Sequence, residues 1–580
     1  MKTKIKNVLP RRGKISPADI DKIVKTIHQL SVRDLRGPML ETPAPIAAYI
    51  RERQNLDFTK KFKFCLDDSD LREKAFRKFR GVNVHMANQQ MDFPSLDAPR
   101  VLASMPDLQR VLLRARAVCH SILTPLGNSE FFANCKNSGG TSQGVSFSDT
   151  STEAKSMFPI TITAKARPLF SSAMLHNYQL CDAIEIFNST NQFDSIFEEV
   201  EASRATTVPK TNKIDRMIAI EPTGNMYLQQ GLMHSMYNRL ASIGLDVSTL
   251  PDIHKSLARE GSKNGRLATI DFSSASDCVS IELLRFLLPK TWFRLLDTVR
   301  CTSLRMNSFK ETLNMFSTMG NATTFPIETL VFYALAIGSI HTHKNTDNSL
   351  HYDFQSERDV SVFGDDCIVP TVCADLFMKS CTSVGFMVNF EKSFYHPSDN
   401  FRESCGGDYL SGYDVRPFCI KRPAASGRMH MESWLYIVTN ALLKKYFLYF
   451  GELSYFYGKH VFRYIDSLFT RFSILKKVVP NDYPDDAGIH ISHDMKRFSL
   501  CYPGNFSKVT RDVHGLYYFH FNNFRYRKRK RQFEYIRYCE RLQAWSRDEF
   551  TKTERVPFVN IRKIGGYVVA KGQDLRWGIL

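Results

Sequence analysis

Two adjacent acids, Asp365 and Asp366, follow a glycine in "DVSVFGDDCIVPTV", residues 359–372. Apolar runs, "VSVF" (360–363) and "CIV" (367–369), flank them. Such runs read as strands, and Gly364 gives the backbone freedom for a tight turn between them. A hairpin of this kind holds both carboxylates at its tip. Like charges that close repel unless one keeps a proton or a cation sits between them. Mg²⁺ favours carboxylate oxygens and completes its shell with water and substrate phosphate. A further carboxylate, Asp271, lies near the end of the strand-like "RLATIDF" (266–272), and Asp277 follows beyond a turn of small residues. Strand ends carrying such acids in a basic chain form a set for two-metal phosphoryl transfer. The plainer alternative is a solvated turn.

The chain has two other adjacent pairs, Asp67-Asp68 in "CLDDSD" and Asp485-Asp486 in "YPDDAG". Their neighbours are polar or turn-forming, so both read as exposed loops. Only Asp365-Asp366 is bracketed by strand-like runs.

The elements that must position these acids lie within residues 204–435, where short apolar strands alternate with helices. "PIETLVFYALAIGSI" (326–340) reads as a helix, with Pro326 suited to its first turn and Thr323 or Thr324 placed to cap it. The alternation predicts an α+β core on a small sheet. Residues 1–130 read as mostly helical, with helical spacing in "LQRVLLRARAVCHSIL". "NCKNSGGTSQGVSFSDTS" (134–151) is glycine-rich but lacks the Gly-Lys-Ser/Thr ending of a P-loop, so it reads as a plain loop. After 435, cations interleave with rings in "LLKKYFLYFGELSYFYGKHVFRY", and "RYRKRKR" (525–531) holds six cations in seven residues. Two readings stay open there: phosphate contact with base stacking, or an amphipathic helix with a snorkelling cationic edge.

The 580 residues are 43% hydrophobic, which indicates a folded chain with a large core. The formal net charge of +19 suits a polyanionic partner, although charge also serves solubility. The basic start lacks the apolar run of a secretory signal. The longest apolar stretch, near 327–340, reads as too short for a membrane span and carries Glu328. The 13 cysteines show no CxxC spacing, which argues for free thiols in a reducing compartment. "HISHD" (490–494) and "HTH" (341–343) read as surface or structural histidines rather than metal ligands.

Taken in order, "DFSSASD", "MGNATTF" with its following helix, and "FGDD" resemble the palm motifs of RNA-dependent RNA polymerases. The closer resemblance is to the replicase catalytic subunit of the positive-strand RNA bacteriophages, the Qβ-like and MS2-like leviviruses. It is carried by "VPKTNKIDRMIAIEPTGNMYLQQG" (208–231), "ATIDFSSASD" (268–277), "STMGNATTFPIETLVF" (317–332), "FGDDCIV" (363–369) and "FRESCGGDYLSGYDVRPFCIKR" (401–422). It covers roughly residues 200–425; Phe363 stands where many relatives carry tyrosine.

The resemblance implies an α+β, right-handed palm–fingers–thumb polymerase with a small antiparallel palm sheet flanked by helices. Residues 1–255 would be mainly fingers, including the basic segment 204–222 that admits nucleotides; 256–435 would be palm, and 436–580 thumb and a C-terminal region contacting RNA or partners. It implies RNA-directed RNA synthesis on a single-stranded RNA phage genome, initiated without a primer, in the cytoplasm of an infected bacterium. It further implies host elongation factors Tu and Ts, a host ribosomal protein and a host RNA chaperone as partners, with no membrane.

It also implies roles for particular residues. Asp271, Asp365 and Asp366 would hold two Mg²⁺ ions, with Mn²⁺ able to substitute. Asp277 and Asn321 would read the ribose 2′-hydroxyl, and Gly320 would let the backbone approach the substrate. Lys210, Lys213 and Arg216 would meet the triphosphate. Lys392 would protonate the leaving pyrophosphate. Arg402, Arg416, Lys421 and Arg422 would grip the product strand. The pairing of Asp277 with Asn321 argues against a reverse transcriptase, and the ordered acids argue against a non-catalytic RNA-binding protein.

Overall fold

The computed structural model describes residues 15–65, 70–96, 105–145, 150, 152–177, 180–181, 196–344, 359–423 and 427–474, with short stretches at 476, 478–479, 484–486, 488–490, 506–511, 517–521 and 578–579. The elements that bear on the site are numbered here in chain order. Helix α1 (Pro17–Asp34) starts at a capping box in which Ser16 and Asp19 satisfy each other's backbone N–H groups. Helices α2 (Ala44–Asp57), α3 (Leu71–Ala87) and α4 (Asp107–Ile122) follow, as the helical spacing of this region predicts. Strands β1 (Ser203–Pro209) and β2 (Asp215–Ile220) form a hairpin. Helices α5 (Thr223–Ser242) and α6 (Leu250–Asn264) lead into β3 (Leu267–Ile270). A second hairpin, β4 (Ser303–Met306) and β5 (Phe309–Thr312), precedes helix α7 (Thr324–His343). Then come β6 (Ser361–Phe363), β7 (Asp366–Pro370), α8 (Ala374–Ser383), β8 (Phe401–Ser404), β9 (Gly407–Leu410) and β10 (Tyr413–Asp414). Helices α9 (Arg428–Phe450) and α10 (Lys459–Arg471) close the set.

The fold mixes helices with small sheets, as the alternation predicts. The central sheet has the order β3-β7-β6 and is antiparallel throughout. A four-stranded sheet runs β2-β1-β4-β5, and β8-β9-β10 forms a third.

Helix α7 is the axis of the larger core. It packs on α4, α8 and the central sheet. Gly338 admits α4 closely, since a Cβ there would lie 2.6 Å from the Val111 carbonyl oxygen. The helix is longer than its apolar run, because Thr324 and the histidines at its far end join it. At 20 residues it is long and apolar enough to cross a membrane, contrary to the expectation from the run alone. It is nevertheless wrapped in protein along nearly its whole length.

Two hydrophobic cores divide the chain in a way the linear reading does not foresee. One spans Phe76 to Phe386. The other joins Ile20–Phe62 to Val415–Ile489. The boundaries at 255 and 435 therefore do not follow the cores: the first helices pack with the last ones. Tyr446 donates its hydroxyl to the Ser31 carbonyl across that second core. Tyr446, Tyr449 and Phe450 are buried there and Lys445 pairs with Asp414, while Ile437, Phe447 and Leu448 of the same helix are exposed, so α9 does not separate into an apolar and a cationic face. "RYRKRKR" lies outside the described residues, as does Asp67-Asp68. Asp485 is exposed, as expected of a loop pair. In the glycine-rich loop, Lys155 donates to the carbonyls of Ser138 and Gly140, so the loop turns carbonyls rather than N–H groups towards a charge. No disulfide joins the cysteines among the described residues.

Candidate active site

The hairpin predicted from "FGDD" exists. Phe363 pairs with Asp366, leaving Gly364 and Asp365 as a two-residue turn. Gly364 has φ +61, which favours glycine, and a Cβ there would lie 2.6 Å from the Phe325 ring. Its N–H donates to Thr329 Oγ1 on α7 at 3.0 Å. Strand β3 runs antiparallel to β7 with Ile270 opposite Cys367, so Asp271 emerges at the level of Asp366. Asn389 holds Asp271 twice, donating Nδ2 to its carboxylate at 2.6 Å and its N–H to its carbonyl at 2.9 Å. The Asp271 N–H donates to Ser393 Oγ at 3.1 Å.

Burial and mutual repulsion act on these acids. Asp366 is pushed up to about 7, by burial first, then by Asp365, with Asp271 adding to it; a backbone hydrogen bond from Cys405 opposes the shift. Asp365 is raised by burial and by Asp271, while Arg216 and Lys210 offset part of it. Asp277 is pushed up to about 7 by burial, against a hydrogen bond from the Met319 backbone and the fields of Lys78, Arg216 and Lys210. One of its carboxylate oxygens is buried without a hydrogen-bond partner.

The cations converge on the same place. Lys210, just past the end of β1, is exposed, yet protein crowds part of its ammonium's surroundings. That crowding lowers its ammonium, Arg216, Lys78 and Lys392 repel it further, and Asp365 pulls the other way. Burial works to lower Lys392, but Glu403, Asp271, Asp366 and Asp365 outweigh it and raise the group. Lys392 therefore stays protonated beside the acids. Lys213 is exposed on the β1–β2 turn, and no ion pair engages it among the described residues.

Other expected residues have structural occupations. Gly320 has φ +118 because strand β2 crowds it: a Cβ would lie 2.1 Å from the Ala219 carbonyl oxygen. The protein's own backbone therefore already requires glycine at this position. Asn321 Oδ1 accepts from the Thr323 N–H at 2.8 Å and hydroxyl at 2.7 Å, capping the approach to α7. Only its Nδ2 is left for a ligand.

Arg402 is a correction to the strand-gripping set. It is fully buried, and its guanidinium donates to the carbonyls of Leu267, Asp399, Phe401 and His396. A group so enclosed cannot reach a nucleic acid; it ties the third sheet to the central one. Arg422 is also engaged within the fold, pairing with Asp21, donating to the Lys63 carbonyl at 3.1 Å and lying over the Phe62 ring. Arg416 leans on Asp408 at 3.4 Å, and Lys421 is exposed.

The structure adds residues that sequence reasoning passed over. Glu328 on α7 is wholly buried, and burial together with Asp365 and Asp277 pushes its carboxyl well above the usual range. The Ser276 hydroxyl donates to it at 3.2 Å. A lone acid in an apolar helix was the available signal. Lys78 on α3 acts on Asp277 and Lys210, and Glu403 on β8 acts on Lys392 and Asp271. Neither carried a local motif.

Among the described residues, no three His, Cys, Asp or Glu side chains form a ready-made metal cage. The donor set still suits Mg²⁺. Its ligands are hard oxygens that repel one another, and Mg²⁺ uses one or two carboxylates plus water and phosphate rather than an all-protein cage.

A mixed α+β fold brings strand-end acids face to face with a cluster of cations, an arrangement chemically suited to phosphate. The sequence model of a family described as "RNA replicase, beta-chain" matches residues 51–442. The chain belongs to that family. Among its relatives, the RNA-directed RNA polymerase beta chain of Enterobacteria phage fr is 35% identical over 309 residues, 52% of this chain and 53% of that protein. The RNA-directed RNA polymerase subunit beta of Escherichia virus Qbeta is 37% identical over 240 residues, 41% of this chain and 38% of that protein. The match thus spans about half or less of each relative's length. A solved RNA-dependent RNA polymerase of BmCPV aligns with TM-score 0.37 and 11% identity, covering 67% of this chain and 35% of that one.

Proposed function

We propose that the chain is an RNA-directed RNA polymerase that copies a single-stranded RNA phage genome by nucleotidyl transfer, starting without a primer. The observation that carries this reading is the placement of Asp271, Asp365 and Asp366 at one end of paired antiparallel strands, opposite Lys210 and Arg216. In this reading the β3-β7-β6 sheet is the palm of a right-handed fold, with fingers and thumb around it.

Asp271, Asp365 and Asp366 would hold the two Mg²⁺ ions, or Mn²⁺ in their place. Bound there, the metal supplies Lewis-acid charge that activates a 3′-hydroxyl and stabilises the phosphoryl transition state. Lys210, Arg216 and Lys78 draw the triphosphate in and offset its charge. The unpartnered oxygen of Asp277 and Nδ2 of Asn321 would serve the ribose, since an acceptor together with a donor favours a 2′-hydroxyl. Lys392, kept protonated by its acidic neighbours, gives a proton to the departing pyrophosphate. Family likeness supports host elongation factors Tu and Ts, a ribosomal protein and an RNA chaperone as partners, in the cytoplasm of an infected bacterium.

The test is incorporation of labelled ribonucleotides on single-stranded RNA with Mg²⁺ and no primer, with and without Tu and Ts. Template-dependent product that disappears in Asp365→Asn supports the reading. No product from soluble, RNA-bound wild-type complexes overturns it.

A further inference from the structure

Helix α3 carries a surface that its own fold does not explain. Its inner face packs Phe76, Phe79, Val82 and Met86 into the larger core, with Leu71 and Ala75 buried on the same side. Asn83 fixes it to the β5 hairpin, donating to the Thr312 carbonyl at 2.9 Å and accepting from the Asn314 N–H at 2.8 Å. Two of its arginines are engaged: Arg80 pairs with Glu311 at 2.5 Å, and Arg72 donates to Asn307 at 3.3 Å.

Lys74, Arg77 and Lys78 are different. All three are exposed, and none has an ion-pair partner among the described residues. With Gly81 they stand three and four residues apart, so they share one outward stripe about 10 Å long. The stripe leads to the site, because α3 packs against β2 and against the turn that carries Asp277. Lys78, at its inner edge, acts on Asp277 and Lys210.

Gly81 is the second observation. Glycine is the most costly residue other than proline inside a helix. Gly224, Gly231, Gly261 and Gly338 also lie inside helices, but each is pressed by a neighbour, with a Cβ meeting Ile162, Cys135, Leu267 or Val111 within 3.0 Å. A Cβ on Gly81 meets nothing within 4 Å. Nothing in the described fold needs a glycine there, whereas close approach of a ligand backbone does.

We propose that the stripe Lys74–Arg77–Lys78–Gly81 is a track for the phosphate backbone of single-stranded RNA on its way to the site. This rests on the polymerase reading for its destination, though not for binding itself. Phosphate also belongs to nucleoside triphosphates, so the test separates the two sources.

Binding of a fluorescent single-stranded RNA to the full chain is measured against salt for wild type, Lys74→Ala/Arg77→Ala, Gly81→Ala and Gly81→Leu. Thermal melts and the nucleotide KM for incorporation are measured beside it. The double variant is expected to weaken RNA binding on the order of tenfold, and to flatten the plot of log affinity against log salt by about 0.7 per charge removed. Gly81→Ala is expected to melt no lower than wild type, and both Gly81 variants to bind RNA several-fold more weakly. Nucleotide KM should stay within about twofold. Unchanged RNA affinity and slope in variants that melt normally overturn the proposal. So does a raised nucleotide KM with RNA affinity intact, which assigns the stripe to the triphosphate. Weakened binding in a chain that makes no product upholds the track and condemns the polymerase reading alone.

Discussion

The hydroxyl of Thr329 accepts the Gly364 N–H at 3.0 Å and donates to the Phe325 carbonyl at 3.0 Å. One buried side chain thus fastens the acid-bearing turn to the core helix. Phe325 closes the same contact from the side, packing edge-on against Phe363 with ring centroids 4.8 Å apart. Thr329→Val keeps the shape and removes the acceptor, leaving a buried N–H at a cost of about 1–3 kcal/mol. The rate of nucleotide addition should fall on the order of tenfold or more, because small misplacements at a reacting centre are expensive. Nucleotide KM should change little, and Thr329→Ser should restore the rate. Equal rates in Val and Thr enzymes would remove Thr329 from this role.

The repulsion that raises Asp365 and Asp366 predicts how metal acts on stability. Without divalent ions, Asp365→Asn should melt higher than wild type, since it removes a buried charge facing Asp271 and Asp366. Mg²⁺ should raise the wild-type melting temperature by mass action and barely move the variant. Thermal melts across an Mg²⁺ titration check both. Parallel shifts in the two proteins would place the ion elsewhere.

Arg402 should behave as a structural residue. Removing it leaves the carbonyls of Leu267, Asp399, Phe401 and His396 without their donor inside the protein. Arg402→Ala should cost about 3 kcal/mol or more, read from the denaturation midpoint. RNA affinity per folded molecule should be unchanged. A large loss of affinity in a fully stable variant would return Arg402 to the strand-gripping set.

His254 predicts a pH effect. It is fully buried against Phe363 and Ser404, and burial lowers its imidazole to about 4. An unfolded histidine titrates near 6.5, so between about 6.5 and 4 the unfolded chain takes up a proton that the folded one refuses. Stability from this group is complete above that window and is lost as pH falls through it, by about 3 kcal/mol. Melting temperatures at pH 7 and 4.5 should therefore differ more in wild type than in His254→Asn. Identical differences would show that His254 is not the group responsible.

The acids of the site were legible because their signal is local. A glycine before two aspartates between apolar runs specifies a turn, and alternation along a strand fixes where its end falls. Helix α7 was legible for the same reason, since its apolar run is long. Arg402 was misread because its partners, Leu267 among them, are far off in the chain, and the crowding of Gly320 by Ala219 is hidden from the sequence for the same reason. Glu328, Lys78 and Glu403 joined the site through packing of separate elements, which no spacing announces. The union of α1 and α2 with α9 and α10 is a matter of which apolar faces meet, and hydrophobic attraction has no direction that a sequence could record. The sequence by itself determined the strand-end carboxylates and the positive charge. Tertiary structure alone decided which cations face those carboxylates and which are buried in the scaffold, because a charged side chain's role depends on neighbours brought in from distant parts of the chain.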